Sequence, residues 1–191
     1  QPYTAALVEP SIDFDPNELN TAAIESGDNY LITGEKVFVP YGEEAETLIV
    51  DAQLDGKTQG FIVPGDSPGI ENDGRQQLMG LNSLPFYKMR FDKVSVPRTN
   101  RLGELEGHDF ELILAASRVA VASLAVGLSK AAFEYARDYA KDRDVFGVKV
   151  AQKQAIAFML AEMATEIESI RLLTWEAAWM LYQRLEDSSK Y

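Results

Sequence analysis

The apolar positions of this chain change period part-way along. Up to about residue 100 they come in short β-branched or aromatic runs: Tyr30-Leu31-Ile32-Thr33, Lys36-Val37-Phe38-Val39, Thr47-Leu48-Ile49-Val50 and Gly60-Phe61-Ile62-Val63. Such runs, bounded by turn residues, predict strands. The turn signals are Ser26-Gly27-Asp28-Asn29, Thr33-Gly34-Glu35, Leu54-Asp55-Gly56-Lys57 and the stretch from Pro64 to Gly69. A last strand is predicted from Phe86 to Val94, where Phe86, Lys88 and Arg90 alternate with Tyr87, Met89 and Phe91. Short strands with tight turns and no helical spacers predict an antiparallel β-barrel or sandwich, not a parallel βαβ sheet.

Beyond residue 100 the period becomes helical. Leu112, Ala115, Val119, Ala122, Val126, Phe133 and Ala136 recur at helical spacing between Glu111 and Lys141. Ala and Ser on the flanks make this helix apolar over much of its circumference, the pattern of a central, buried helix. The stretch from Arg143 to Val150 interrupts the pattern. A second helix is predicted over about 152–184, with Ile156, Met159, Leu160, Met163, Ile167, Ile170, Leu173, Ala177 and Leu181 inward. Each helix would be about 45 Å long at ~1.5 Å per residue. Two such helices cannot cover both faces of each other, so further helices are expected, from missing chain or another subunit. The fold class is therefore α+β. A β domain over 1–100 precedes a helical domain over 101–191, made of long antiparallel helices of an incomplete four-helix bundle.

Composition sharpens this division. All eight prolines lie before residue 98, and Pro is kept out of helix interiors. Residues 1–100 carry 7 basic and 16 acidic groups, against 11 and 14 in the remainder. The net charge of −12 argues against a nucleic-acid or anionic-membrane surface. With no cysteine, disulfides, thiolate metal sites and a Cys nucleophile are excluded. Gln1-Pro2-Tyr3-Thr4 offers no basic segment leading into an apolar run, so no signal peptide and a cytoplasmic location are expected. No membrane span is expected either, because even Leu112 to Leu128 is broken by Arg118. Neither a Gly-x-Gly-x-x-Gly nor a Walker motif occurs.

Candidate chemistry is sparse. His108 is the only histidine, which rules out His-pair metal motifs; a single Ser-His pairing stays open, and a solvated loop histidine is the plainer reading. Glu162, Glu166 and Glu176 lack an i+3 His and read as a solvated helix face, so no metal is expected. Trp175 and Trp179, one helical turn apart, fit an aromatic site, or packing in the core or against another subunit. Arg143 lies between Asp142 and Asp144, just ahead of Phe146-Gly147, at the junction of the two helices. It can grip a phosphate with its bidentate guanidinium or pair with a neighbouring Asp. Arg118 is set among Ala, Val and Leu, and if buried needs an anionic partner such as a ligand phosphate, Glu111 or Glu134.

Several segments, taken in order, resemble the acyl-CoA dehydrogenase family. Val8-Glu9-Pro10 is similar to the start of its Thr-Glu-Pro loop. The run from Tyr30 to Val39 is similar to its Y-x-I-N-G-x-K-x-W-I hairpin. Gly60-Phe61-Ile62-Val63 with Ser67-Pro68-Gly69-Ile70 matches G-F-I-V…P-G, and Met79-Gly80 with Phe91 to Pro97 matches the closing strand. Arg143-Asp144-Val145-Phe146-Gly147, then Gln154, then Phe158 to Met163, resembles R-x-x-F-G…Q…L-A-x-M. These matches span nearly the whole chain.

The resemblance implies a β domain between an N-terminal helical domain and a C-terminal four-helix domain, assembled as homo-oligomeric dimers or tetramers. This chain then resembles an excised piece. It also implies FAD as cofactor, an acyl-CoA substrate oxidised at Cα–Cβ with a Glu as base, and an electron-transfer flavoprotein as electron acceptor. In one branch the base sits just before the Arg of the first long helix; here that position is Ser117, so no catalytic residue is assigned in this chain. Phe38, Val39 and Pro40 align with the Trp-Ile-Thr that faces the flavin, and Val8 replaces a Thr there. Pro40 has neither hydroxyl nor N–H to offer. Phe14 takes the place of a serine at the acyl-CoA, and Arg118 aligns with an Arg near the CoA end of the substrate. Arg143, Phe146 and Gln154 are kept, and in the family they reach the FAD of the neighbouring subunit. This uneven retention implies either an FAD-dependent dehydrogenase with a drifted loop or a non-catalytic partner subunit of a hetero-oligomer that completes a neighbour's FAD site.

Overall fold

A computed structural model of the chain describes residues 3–104 and 106–183. The chain divides into two compact units, residues 1–110 and 111–191.

The first unit is a seven-stranded mixed sheet. Its strands are β1 (Tyr3–Ala6), β2 (Ala22–Ser26), β3 (Asn29–Pro40), β4 (Thr47–Leu54), β5 (Lys57–Pro64), β6 (Ile70–Arg75) and β7 (Phe86–Pro97). β5 pairs antiparallel with β4, and β2, β3, β7 and β6 follow one another in antiparallel pairs. The predicted antiparallel order needs one correction: β1 runs parallel to β4, and β2 meets β4 in parallel at Ala22 and Gln53. Each of those strands contains a pair of alanines, Ala5-Ala6 and Ala22-Ala23, so neither stands out as an apolar run. The core is built from the inward positions of every long strand. Tyr30, Ile32, Leu48, Val50, Phe61, Val63, Phe91, Val94 and Val96 are all buried. The rings of Tyr30 on β3 and Phe61 on β5 meet edge-to-face at 5.1 Å, so the sheet curls far enough for non-adjacent strands to share one core.

Asp55-Gly56 makes the β4–β5 hairpin with φ of 51° and 75°, the two-residue turn that matches strand twist. The expected turn at Thr33-Gly34-Glu35 is absent. β3 runs straight through it, with an irregular register between Ile32 and Gly34. Gly34 is needed there for close approach, because a Cβ would come within 2.6 Å of Thr21 Cα.

The second unit holds two long helices, α1 (Phe110–Asp142) and α2 (Gln154–Tyr182). Between them lies a minimal hairpin of β8 (Asp144–Val145) and β9 (Val148–Lys149). Val126, Phe133 and Ala136 of α1 face Met163, Ile167 and Ile170 of α2 across a groove of about 490 Å³. Val121, Leu124 and Leu128 of α1 are each at least 66% exposed. One partner helix offers a single seam, which leaves the other apolar faces open. The expectation about membrane-length stretches also needs correction. An 18-residue window of α1 reaches a mean hydropathy of 1.9 despite Arg118, which is long and apolar enough to cross a membrane by length and composition.

Candidate cofactor-binding site

The segment from Leu7 to Thr21 is fastened to the sheet by a buried ion pair. Lys36 Nζ lies 2.9 Å from Glu9 Oε1 and also donates to the Leu7 carbonyl. The Glu9 carboxylate accepts the backbone N–H groups of Asn20 and Thr21 as well. Lys36 is fully buried and Glu9 nearly so. Burial pushes the Glu9 carboxyl up, but more donors point at it than burial can offset. The Thr21 hydroxyl leans on it without a well-aligned hydrogen bond, and Lys36 and the two N–H groups add to this, bringing it down to about 2. For Lys36 burial wins, and its pKa is lowered despite the Glu9 partner.

That fastening sets where the predicted cofactor residues lie. The Val8 carbonyl accepts the Val37 N–H at 2.8 Å, placing half-buried Val8 beside Phe38. Phe38 adopts φ of 56° and exposes 44% of its surface. Its N–H donates to Gln76 Oε1 at 2.7 Å. The Val39 side chain is fully buried in the core, which leaves its backbone as the part that could meet a ligand. The Pro40 carbonyl is already taken by the Thr4 hydroxyl. Phe14 lies half-buried in the loop after β1.

The second unit collects the other candidates. The Asp144 carboxylate pairs with Lys149, whose ammonium also donates to the Asp142 backbone carbonyl, so one of the two expected Asp partners of Arg143 is engaged elsewhere. Among the described residues Arg143 makes no ion pair. Its backbone joins Tyr139 and Val150 and fixes the chain as it leaves α1. Phe146 and Gly147 form the β8–β9 turn with φ of 55° and 78°, which leaves Phe146 94% exposed. Lys153 Nζ stands 5.3 Å from that ring, and Gln154 opens α2 next to it in sequence.

Arg118 is not brought to this cluster, since 25 helical residues separate it from Arg143, or roughly 37 Å. It is exposed, not buried, so it needs no compensating anion. Ser117 donates its hydroxyl to the Ile113 carbonyl at 2.9 Å, within its own helix. His108 departs from its solvated reading: the ring is half-buried against Phe110, and burial lowers its pKa. Among the described residues no group of acidic and histidine side chains could hold a metal.

Family models for the acyl-CoA dehydrogenase middle domain and C-terminal domain match residues 4–94 and 110–190. The chain belongs to the acyl-CoA dehydrogenase family. It is 37% identical over 182 residues to an acyl-CoA dehydrogenase of Bacillus subtilis, covering 91% of this chain and 48% of that protein. The solved butyryl-CoA dehydrogenase of Megasphaera elsdenii superposes with a TM-score of 0.79 at 32% identity, covering 93% of this chain and 49% of that one. A glutaryl-CoA dehydrogenase of Mycobacterium smegmatis, solved in complex with FADH2, gives 0.79 at 25% identity, with 93% and 46% covered. The chain spans about half the length of the curated relatives it matches. The match of residues 110–190 to the family's helical domain accounts for the apolar composition of α1 without a membrane.

Acyl-CoA dehydrogenase chemistry calls for a flavin dinucleotide, whose ring system is aromatic and whose pyrophosphate is anionic. The Arg143 guanidinium, without an ion pair among the described residues, and the exposed Phe146 ring fit that chemistry. The Phe38 ring offers an apolar plate, whereas Val8, Val39 and Pro40 offer no side-chain donor. Two residues of this face escape notice in the sequence. Lys36 carries a signal, being a charge at an interior position of an apolar strand. Gln76 carries none, because its role depends on a backbone irregularity in another strand.

Proposed function

We propose that this chain forms the β domain and part of the helical domain of an FAD-dependent acyl-CoA dehydrogenase, which desaturates an acyl-CoA thioester at Cα–Cβ. The observation that carries this is the connection between α1 and α2: Arg143, which makes no ion pair among the described residues while Asp144 is held by Lys149, and three residues on an aromatic ring turned out by a left-handed turn. FAD, when bound, would accept hydride from the substrate at its flavin ring. Arg143 would hold the pyrophosphate of a neighbouring subunit's FAD by charge-assisted hydrogen bonds, with Phe146 and Gln154 next to it along the chain. Phe38 would present its ring to the flavin while the Lys36–Glu9 pair holds Val8 in place. Phe14 and Arg118 are assigned to the acyl-CoA. Ser117, committed to the Ile113 carbonyl, takes no proton, and we assign the α-proton base outside the described residues.

A second reading rests on a specific observation. The Phe38 N–H is already taken and Pro40 has none, so this face offers few donors to a flavin of its own. A non-catalytic subunit that lends Arg143 to a partner's FAD would need none. Flavin released from the purified protein and counted per chain tests both. Close to one FAD per chain, bleached by acyl-CoA, supports the dehydrogenase; flavin appearing only in mixed assemblies with a partner polypeptide supports the second. Arg143→Ala should weaken flavin retention by about 10- to 100-fold, the worth of a charge-assisted bond. Unchanged retention would count against both readings.

A further inference from the structure

β3 has an irregular pairing with β7 between Lys36 and Val39. Lys36 and Val39 both lie on the core side, three residues apart, where strict alternation would place them on opposite faces. The extra residue makes this a bulge, and it turns the Phe38 ring outward with φ of 56°. A bulky non-glycine residue in the left-handed region is strained. The bulge also takes the Phe38 N–H out of the ladder, where it would lack a partner. Gln76, just beyond β6, supplies one. Its own N–H donates to the Phe86 carbonyl of β7 at 2.8 Å, which anchors its backbone. Its side chain then reaches past β7, and its amide oxygen accepts the Phe38 N–H at 2.7 Å. The β6–β7 ladder is itself shifted between Asn72 and Arg75, directly ahead of Gln76. Two irregularities on either side of β7 therefore meet through this one hydrogen bond.

Resting on the flavin reading above, we propose that Gln76 is a positioning residue that locks the Phe38 bulge, so that the Phe38 ring is held still against the flavin. A neutral acceptor suits this place, because it satisfies the N–H without adding another carboxylate to an acidic chain. The bond is local and partly exposed, so its loss should change geometry at Phe38 and leave the core standing.

The test uses the full protein in three forms: wild type, Gln76→Met, which keeps length and loses the acceptor, and Gln76→Glu, which restores an acceptor. Two readouts are taken, amide exchange at Phe38 and the rate of flavin reduction by an acyl-CoA in single turnover. Gln76→Met should speed Phe38 exchange by about tenfold or more and slow flavin reduction by about tenfold, with the substrate concentration for half-maximal rate unchanged. Gln76→Glu should return both toward wild type. Unchanged exchange in Gln76→Met overturns the lock, and faster exchange with unchanged reduction overturns its positioning role. A wild-type protein with no flavin overturns the flavin reading and the positioning role with it. Exchange at Phe38 would still separate that result from failure of the hydrogen bond.

Discussion

Asp51 is a carboxylate in the wrong place for neutral pH. It lies on β4 opposite Gly60, is 9% exposed, and has no ion pair among the described residues. Burial pushes its pKa from the ordinary 3.8 to about 6, with the charge of Lys36 drawing it part of the way back. A pKa raised by folding means that the folded state holds the proton more tightly. Its stabilising contribution is complete below 3.8 and is lost as the pH rises through about 6. At 1.36 kcal/mol per pH unit the loss amounts to about 3 kcal/mol by pH 7.5. Asp51→Asn keeps the shape and removes the ionisation. The variant should be about 2–3 kcal/mol more stable than wild type at pH 7.5, and its advantage should shrink to a few tenths, roughly, by pH 4. Hydrogen exchange of peptides spanning residues 47–64 reads this directly, since the wild-type to variant ratio at each pH cancels the intrinsic pH dependence. Thermal unfolding should agree, with a shift of roughly 4–10 °C at pH 7.5. A variant less stable at pH 7.5, or an advantage that persists unchanged in acid, would refute the reasoning.

Further predictions concern the same unit and the helical corner. Lys36→Met leaves Glu9 a buried carboxylate with its two backbone donors but no cation, and should cost about 3–5 kcal/mol in denaturant unfolding at pH 7, with much of the loss recovered when Glu9→Gln is added. The wild-type contribution of Glu9 is full above its ordinary 4.5 and should fade as the pH drops toward about 2, visible as a steepening acid transition that Glu9→Gln lacks. Gly34→Ala drives a methyl group into Thr21 and should cost about 1–3 kcal/mol, or prevent accumulation of folded protein, as judged by thermal melts. Phe146→Asn places a residue tolerant of positive φ in the hairpin and should hold or raise the melting temperature while lowering flavin content. Equal losses of both would argue that Phe146 serves packing alone.

Much of the architecture was legible because burial imposes period. The runs at 30–33, 47–50 and 60–63 alternate against one core, and the helical stripes at Val126, Phe133, Ile167 and Ala177 are visible for the same reason. β1 and β2 were not legible, because Ala5, Ala6, Ala22 and Ala23 give their strands little apolar contrast and their pairing with β4 is non-local. The turn wrongly expected at Gly34 follows from the same limit: in sequence, a glycine that admits Thr21 looks like one that reverses the chain. Within the candidate site the motif residues Arg143 and Phe146 could be named in advance. Their usefulness could not, since it depends on Lys149 drawing Asp144 away and on a turn that exposes the ring. Gln76 had no local signature at all.

The bulge in β3 also bears on how the sheet assembles. A regular strand that slips by two residues against its neighbour keeps its sidedness and can be trapped there at modest cost. β3 is out of phase with itself on either side of Phe38, so a slip past β7 cannot satisfy both halves. Whichever half is paired correctly, the other would send the Lys36 ammonium away from Glu9 or Val39 into water. The irregularity that exposes Phe38 thus acts as a key cut into the strand, and mispaired sheets are penalised before the chain has anything to bind.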